Sequence, residues 1–396
     1  MKIKQKIIEV RYKTVYQIVR NLVKPYLRSL KYKWDKPRHF PKPTVVLANH
    51  NTDYDPALVS VAFKDQMFFL ASENCFRKGN FSKFLVWGFN PISKIKGASD
   101  TLAVMKAIRC LKEGNNVCIF PEGGRSFTGI TNEVQVATGK FVKISGANLV
   151  TFKVQGGYLK VPRWGFGRRN GPWNGKFVNF YTSEQLKNMT PEEITANINK
   201  DLYENAYETQ AAAPKKYSGE NLAVGMECAV CVCPECKTIG NIHTEKDDVF
   251  CSNCNLRGTI GEYSFFDDKF PFHSVADWDL WQEKYFNELI LSTKDENAVL
   301  FSDENVNLRT FDLNHNTEEL GTGAFSLTKK GFVFSVSGKD DVILPIADIP
   351  DASVFSRSNF NFTNNKNGLH YELYASRLFN VRKYLSGWKL IRASLN

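Results

Sequence analysis

Residues 41–55 read PKPTVVLANHNTDYD. An apolar run, set off by prolines, leads straight into His50, and an aspartate follows five positions later. The run predicts a strand that ends at the histidine. Short apolar runs of the same kind recur as MFFLAS (67–72), VCIF (117–120) and NLVTFKV (148–154). Between them lie helix-like stretches, chiefly DTLAVMKAIRCLKEG at 100–114, which Asp100 can cap and Gly114 can end. Strands separated by helices predict an α/β domain with a mostly parallel central sheet. The strand at 117–120 then delivers FPEGGRS (120–126) at its carboxyl end, where open α/β sheets place ligand sites.

Farther along, residues 183–210 predict a closing helix, with Thr190-Pro191-Glu192-Glu193 as its start. AAAPKKYSGEN (211–221) reads as a linker, and DWDLWQEKYFNELI (277–290) as an amphipathic helix. From residue 298 the texture changes. AVLFSD, LRTFDL, AFSLTKKGFVFSVSG, VILPI, NFNFT and LHYELYA are short alternating runs broken by Gly, Asn, Asp and Pro. Lys329-Lys330-Gly331 suits a hairpin turn, and NVRKYLSGWKLI (380–391) a capping helix. This describes a β-rich module, either a sandwich or a barrel closed by a helix as in pleckstrin-homology-like domains. The expected organisation is an arm at 1–42, an α/β domain at 43–212, a cysteine module at 213–262, a helical connector at 263–297 and the β-rich domain at 298–396. A chain of 396 residues, 43% hydrophobic and 13% aromatic, has the length and apolar content for several cores.

Charge is unevenly placed. Residues 1–42 hold thirteen Lys/Arg against Glu9 and Asp35, a net of +11 that equals the charge of the whole chain. Apolar residues Ile3, Ile7, Val15, Ile18, Val19, Leu22, Val23, Tyr26 and Leu27 interleave with those charges, and from Val15 onward their spacing fits one helix face. With Tyr12, Tyr16, Tyr32 and Trp34 nearby, this suits an interfacial anchor on anionic lipid. The alternatives are a stripe packed on the next domain, or contact with nucleic acid. The balanced charge beyond residue 42 argues against nucleic acid, which needs a basic surface. No apolar run of membrane-spanning length occurs, and the charged start holds no signal-peptide core. A cytoplasmic protein, peripheral on the inner face of the cell membrane, is expected.

Transfer of an acyl group from a thioester to an alcohol needs a neutral imidazole to take the hydroxyl proton. Asp55 can hold the ring of His50 in the right tautomer, with Asp53 as a competitor for that role. No Ser or Cys nucleophile motif accompanies them, so direct attack is expected over an acyl-enzyme. In FPEGGRS, Gly123 and Gly124 allow tight turning beside a ligand. Arg125 offers a forked donor for phosphate, and Glu122 can accept from acceptor hydroxyls or fix Arg125. Alone, that loop would read as a solvated turn.

Taken together, these residues resemble the glycerolipid acyltransferase family, whose best-known members are 1-acyl-glycerol-3-phosphate acyltransferases. Asn49, His50 and Asp55 match its NHxxxxD block, and residues 120–126 match FPEGTRS with Gly124 in place of Thr. GFNPISK (88–94) is similar to a further block, with Lys94 where arginine is usual. LVTFKV (149–154) stands where the family has a proline-containing apolar strand, without the proline. The resemblance covers about residues 43–200. It implies His50 as general base, Asp55 as its orienting partner, and Glu122, Gly123, Arg125 and Lys94 as acceptor-binding residues. It also implies acyl-CoA or acyl carrier protein as donor, a lysophospholipid such as 1-acyl-glycerol-3-phosphate as acceptor, and a place in phospholipid biosynthesis. A hydrolase using the same pair on water, and a non-catalytic membrane or nucleic-acid adaptor, are the rival readings.

Two other features stand out. GGYLKVPRWGFGRRNG (156–171) carries Lys160, Arg163, Arg168 and Arg169 beside Trp164 and Phe166. It is either a loop that touches headgroups or donor phosphates, or a surface hairpin. Six of the nine cysteines crowd into 228–254. Cys233-x2-Cys236 and Cys251-x2-Cys254, fourteen residues apart, resemble a zinc ribbon with a closed, structural site. Cys228 and Cys231 form another such pair able to replace the first, and His243 is a spare ligand candidate.

Overall fold

The computed structural model describes residues 2–76, 79–94, 101–312 and 316–395, with the side chains of 2–6 and 73–74 left aside. The expected cap Asp100 and the side chain of Ile3 lie outside that description. The described residues divide into two compact units, the first built from residues before 163 together with 168–218, the second from 163–167 and the residues after 218.

The first unit runs α1 (Lys2–Ser29), β1 (Tyr32–Trp34), β2 (Thr44–Ala48), α2 (Asp55–Ala62), β3 (Met67–Ser72), α3 (Asn80–Phe89), β4 (Ile92–Lys94), α4 (Thr101–Lys112), β5 (Asn116–Ile119), α5 (Val136–Ser145) and β6 (Asn148–Gln155). It continues with α6 (Gly157–Lys160), β7 (Trp173–Tyr181), α7 (Ser183–Lys187), α8 (Pro191–Leu202) and α9 (Ala206–Ala212). The sheet order is β1-β7-β6-β2-β5-β3-β4. The five strands from β6 to β4 are mutually parallel, as expected. β7 runs antiparallel to β6 and brings β1 with it.

β2 explains why this sheet forms. All five residues of TVVLA are buried, the mark of a strand covered on both faces. Alternation sends Val46 and Ala48 to one side with Leu58, Val59 and Ala62 of α2, Phe152 of β6 and Leu27 of α1. Val45 and Leu47 go to the other side with Ala103, Ala107 and Leu111 of α4, Val142 of α5, and Ile194, Ile198 and Leu202 of α8. Helices α5 and α8 approach so closely that a Cβ at Gly139 would collide with the Pro191 carbonyl.

The closing helix expected at 183–210 is instead three helices. Thr182 and Thr190 each close a capping box, and the Asn205 side chain accepts from Tyr207 and Glu208 amides. Thr182 just before that stretch and Thr190 and Asn205 within it start a helix each time, because each offers its own side chain to the first-turn amides. In α1, Tyr16, Arg20 and Leu27 are buried while Ile18 and Leu22 are 54% and 70% exposed. Arg20 donates from Nε to the Ser60 carbonyl at 3.1 Å, completing the C-terminal turn of α2. So the arm packs with one face and leaves the other uncovered. The stretch 156–171 is no surface hairpin: Lys160, Arg163, Trp164 and Arg169 are buried, and Lys160 Nζ donates to the Gly171 carbonyl at 2.6 Å.

The second unit opens on the cysteine module, where β8 (Ile242–Glu245), β9 (Asp248–Cys251) and β10 (Arg257–Thr259) form an antiparallel sheet of order β10-β9-β8. Helix α10 (Val275–Ser292) follows, starting at the Ser274 cap. Then come β11 (Phe301–Phe311), β12 (Thr317–Leu327), β13 (Gly331–Ser335), β14 (Val342–Pro345), β15 (Asp351–Phe355), β16 (Asn359–Thr363), β17 (His370–Tyr374) and the closing helix α11 (Arg382–Ser394). The strands make an antiparallel sheet of order β14-β13-β12-β11-β17-β16-β15, two meanders joined where β11 meets β17. Residues 328–331 make the expected hairpin turn, with the Thr328 amide donating to the Gly331 carbonyl at 2.9 Å. Phe325, Phe332, Phe360 and Phe362 line the core of this sheet, and α11 inserts Tyr384 against them, 5.0 Å from the Phe325 ring.

Helices α10 and α11 are joined by charge. Arg382 Nη2 donates to Asp279 Oδ2 at 3.0 Å, and Asp279 is only 7% exposed. Removing one member of a buried pair strands the other. Arg382→Met should therefore lower stability by about 3–5 kcal/mol in denaturant titration; a loss below about 1 kcal/mol would show the pair to be dispensable.

Candidate functional site

The parallel strands end together, and their carboxyl ends carry the residues singled out from sequence. After Ala48 the chain leaves β2 as Asn49, whose amide group extends the ladder: Nδ2 donates to the Val154 carbonyl at 2.8 Å and Oδ1 accepts the Val154 amide at 2.7 Å. Asn49 is thereby fully buried and fixes where His50 leaves the sheet.

Residues 50–55 then fold around one carboxylate. Asp55 Oδ2 accepts from the Asn51 amide at 2.7 Å, the Thr52 amide at 2.9 Å and His50 Nδ1 at 2.8 Å. Its Oδ1 accepts the Thr52 hydroxyl at 2.6 Å. The side chain is 0% exposed against 22% for His50. A buried carboxylate with this many donors stays an acceptor, so the His50 proton sits on Nδ1 and the lone pair on Nε2. Asp53, the sequence-level competitor, is 83% exposed and pairs with Arg125 instead, Oδ2 to Nη1 at 3.0 Å.

The second motif closes on the first from β5. Phe120 stacks on the His50 ring, centroids 4.5 Å apart at 23°. The His50 amide donates to Glu122 Oε1 at 2.6 Å, and the Ser126 amide donates to the His50 carbonyl at 3.0 Å. Both main-chain groups of His50 are thus held by the 120–126 loop. Glu122 Oε2 accepts from the Asn132 amide at 2.8 Å. The glutamate therefore braces the loop against the histidine and does not hold Arg125. Gly123 takes φ +73° at the exposed tip of this turn, a conformation that suits glycine.

Lys94 ends β4, exposed at the far edge of the sheet. Two strand spacings, roughly 10 Å, separate it from β5. The structure brings His50, Asp55, Glu122, Gly123 and Arg125 together and leaves Lys94 at the margin.

A carboxylate absent from the sequence reading completes the base of the site. Glu204, 5% exposed, accepts from the Asn49 amide group and the Gly156 amide, both at 3.4 Å. Its own carbonyl accepts the Thr131 amide at 2.9 Å. Burial pushes the Glu204 carboxyl up to about 7, against the pull of the Gly156 amide, Lys153 and Lys176. Burial also pushes Glu122 up to about 8, against its two amide donors.

In the second unit, the sulfur atoms of Cys233, Cys236, Cys251 and Cys254 lie within 4.8 Å of one another. Cys233 to Cys254 is 3.5 Å and Cys236 to Cys251 is 3.7 Å. These are the edges of a tetrahedron, about 3.8 Å for metal–thiolate bonds of about 2.3 Å, and far longer than a disulfide. The two knuckles repeat one geometry. The Cys233 amide donates to Thr238 and the Lys237 amide to Cys233; the Cys251 amide donates to Leu256 and the Asn255 amide to Cys251. Lys237 and Asn255 both take left-handed φ, 61° and 62°. Cys228 and Cys231 are buried outside this cluster, the latter's amide donating to Gln282, and His243 meets Ser252 on the surface.

Residues 31–168 match the model of the family described as Acyltransferase, and this segment is an acyltransferase-family domain. Solved structures similar to the chain include the 1-acyl-sn-glycerophosphate (LPA) acyltransferase PlsC from Thermotoga maritima. It shares 18% identity over 50% of this chain and 80% of that one, at a TM-score of 0.42. Another is the Inner Membrane Complex sub-compartment protein 3 from Toxoplasma gondii, at 11% identity over 28% of this chain and 87% of that one, TM-score 0.19. No curated protein sequence matched.

A native state that keeps a proton on Glu204 loses stability as pH rises. Its raised folded value means full stability below the ordinary carboxylate range and a progressive loss up to about 7. Denaturant titrations at pH 5, 6 and 7 should show that decline, and Glu204→Gln should flatten it by close to one proton. An unchanged slope in the variant would place the proton elsewhere.

Proposed function

We propose that the acyltransferase-family domain moves a fatty acyl group from an acyl thioester to the hydroxyl of a lysophospholipid, with 1-acyl-glycerol-3-phosphate the leading acceptor. The observation that carries this reading is the His50–Asp55 pair: Nδ1 is committed to a buried carboxylate at 2.8 Å, so Nε2 is the basic nitrogen. The acceptor hydroxyl oxygen attacks the thioester carbonyl while Nε2 takes its proton. The tetrahedral intermediate then collapses, the C–S bond breaks, and the imidazolium returns the proton to the departing thiolate. Asp55 stabilises the imidazolium in between. Phe120 and the Glu122 and Ser126 contacts keep the ring in place while this occurs.

The acceptor's phosphate is assigned to Arg125, one of whose partners, Asp53, is exposed. An ion pair to so exposed a carboxylate is weak enough for a phosphate to displace. Lys94 would serve only an acceptor reaching the far edge of the sheet. The donor is acyl-CoA or acyl carrier protein. The basic α1, with its outer apolar face uncovered, supports attachment to anionic lipid on the inner face of the cell membrane. Among the described residues no helix is long and apolar enough to cross a membrane. The four thiolates suit a single zinc ion with a closed coordination shell, a site that holds the ribbon and takes no part in the transfer.

With purified protein and a panel of lyso-acceptors, His50→Ala should lower transfer by about a thousandfold or more with an unchanged circular dichroism spectrum. Wild-type rates in that variant would remove the assignment. Elemental analysis should find one zinc per chain, lost in Cys236→Ser/Cys254→Ser together with a lower unfolding midpoint. Full stability without metal would contradict the structural role.

A further inference from the structure

Helix α3 reads NFSKFLVWGF, and of its ten residues only Ser82 and Gly88 are buried. Phe81, Phe84 and Trp87 are 56%, 45% and 50% exposed. A helix apolar nearly all round belongs in a core or in lipid, and large aromatic residues left outside call for a partner. One side of α3 has a partner already. Gly88 faces Val15 of α1, where a Cβ would stand 3.0 Å from the valine Cγ1, and the Arg11 guanidinium lies 5.3 Å from the Trp87 ring. α1 in turn leaves Val10, Ile18 and Leu22 exposed.

The charges of both helices have one sign. From residue 79 to 94 there is no carboxylate, only Lys83 and Lys94. α1 contains Glu9 as its sole acidic residue, against exposed Lys13 and Arg28 and partly buried Arg11 and Lys24. A second copy of this face would set cation against cation. A bilayer surface with anionic headgroups accepts both features, apolar rings below and lysine or arginine at the headgroup level.

We propose that α3 is a second lipid-inserting element, entering an anionic bilayer surface beside α1 through Phe81, Phe84 and Trp87. This extends the membrane-surface reading, on which it rests for the choice of partner, from the N-terminal arm into the domain that carries His50. Attachment then has two points, which set the domain's orientation on the bilayer as well as its presence there.

The test is sedimentation of the full chain with phosphatidylcholine vesicles with and without phosphatidylglycerol. Phe84→Ser/Trp87→Ser should weaken partition to the anionic vesicles by about tenfold or more. Phe81→Ser, which spares the Arg11 contact, should weaken it in the same direction with an unchanged unfolding midpoint. Lys83→Glu should weaken binding to the anionic vesicles alone. The double variant should keep wild-type transfer to a water-soluble short-chain lysophosphatidic acid, because α3 holds none of the proposed catalytic groups. If the wild type transfers to no acceptor but partition still falls on substitution, the lipid inference stands and the catalytic reading fails. Partition within about twofold of wild type in both serine variants would overturn it. So would a wild-type dimer in size-exclusion chromatography that the double variant dissolves.

Discussion

The carboxylate of Asp55 organises the site. It lies at the first turn of α2, fully buried, and takes two backbone amides, a hydroxyl and the His50 ring at once. With both oxygens engaged the buried charge is satisfied, and the turn, the helix start and the tautomer of His50 meet at a single group. The five-residue spacing follows from this geometry. The amides of Asn51 and Thr52 must point back at the helix N-terminus while the ring reaches the same oxygen.

Around that carboxylate the fold supplies rigidity in layers. β2 is sandwiched by helices on both faces, Asn49 ties its end to Val154, and the loop after β5 grips both main-chain groups of His50. Buried Glu204 and partly buried Glu122 flank the histidine as carboxylates whose proton affinity is raised by desolvation. Their hydrogen bonds run to main chain and to Asn49, so they position the groups around the histidine. Two short motifs seventy residues apart are thereby joined through both main-chain groups of His50 and its ring.

Much of this was legible in the sequence, for physical reasons. Strands buried on both faces are continuous apolar runs, so β2, β5 and β6 stood out, and the partly buried β3 with them; the knuckle spacing around Cys233 and Cys251 admits few geometries. What escaped was set by tertiary context. Asp53 stayed a competitor of Asp55 until burial and pairing separated them, 83% exposed on Arg125 against 0% on His50. Lys160, Arg163 and Arg169 read as a basic surface but are buried; Lys160, for one, donates to the Gly171 carbonyl. The stretch at 183–210 breaks into α7, α8 and α9 because Thr182, Thr190 and Asn205 each cap a new start. Glu204 meets Asn49 only across the folded chain, and its polar surroundings in sequence carry no sign of it. Phe120 was visible within its motif, but stacking on His50 is not a property of the motif alone.

The central claim is that Asp55 acts through the imidazole of His50 in an acyl transfer. The most direct measurement is the rate of transfer by Asp55→Asn, which keeps the size of the side chain but gives His50 a neutral amide in place of a carboxylate. The account predicts a folded protein that binds acceptor as the wild type does and transfers about four orders of magnitude more slowly. A folded Asp55→Asn protein with a rate near that of the wild type would contradict it.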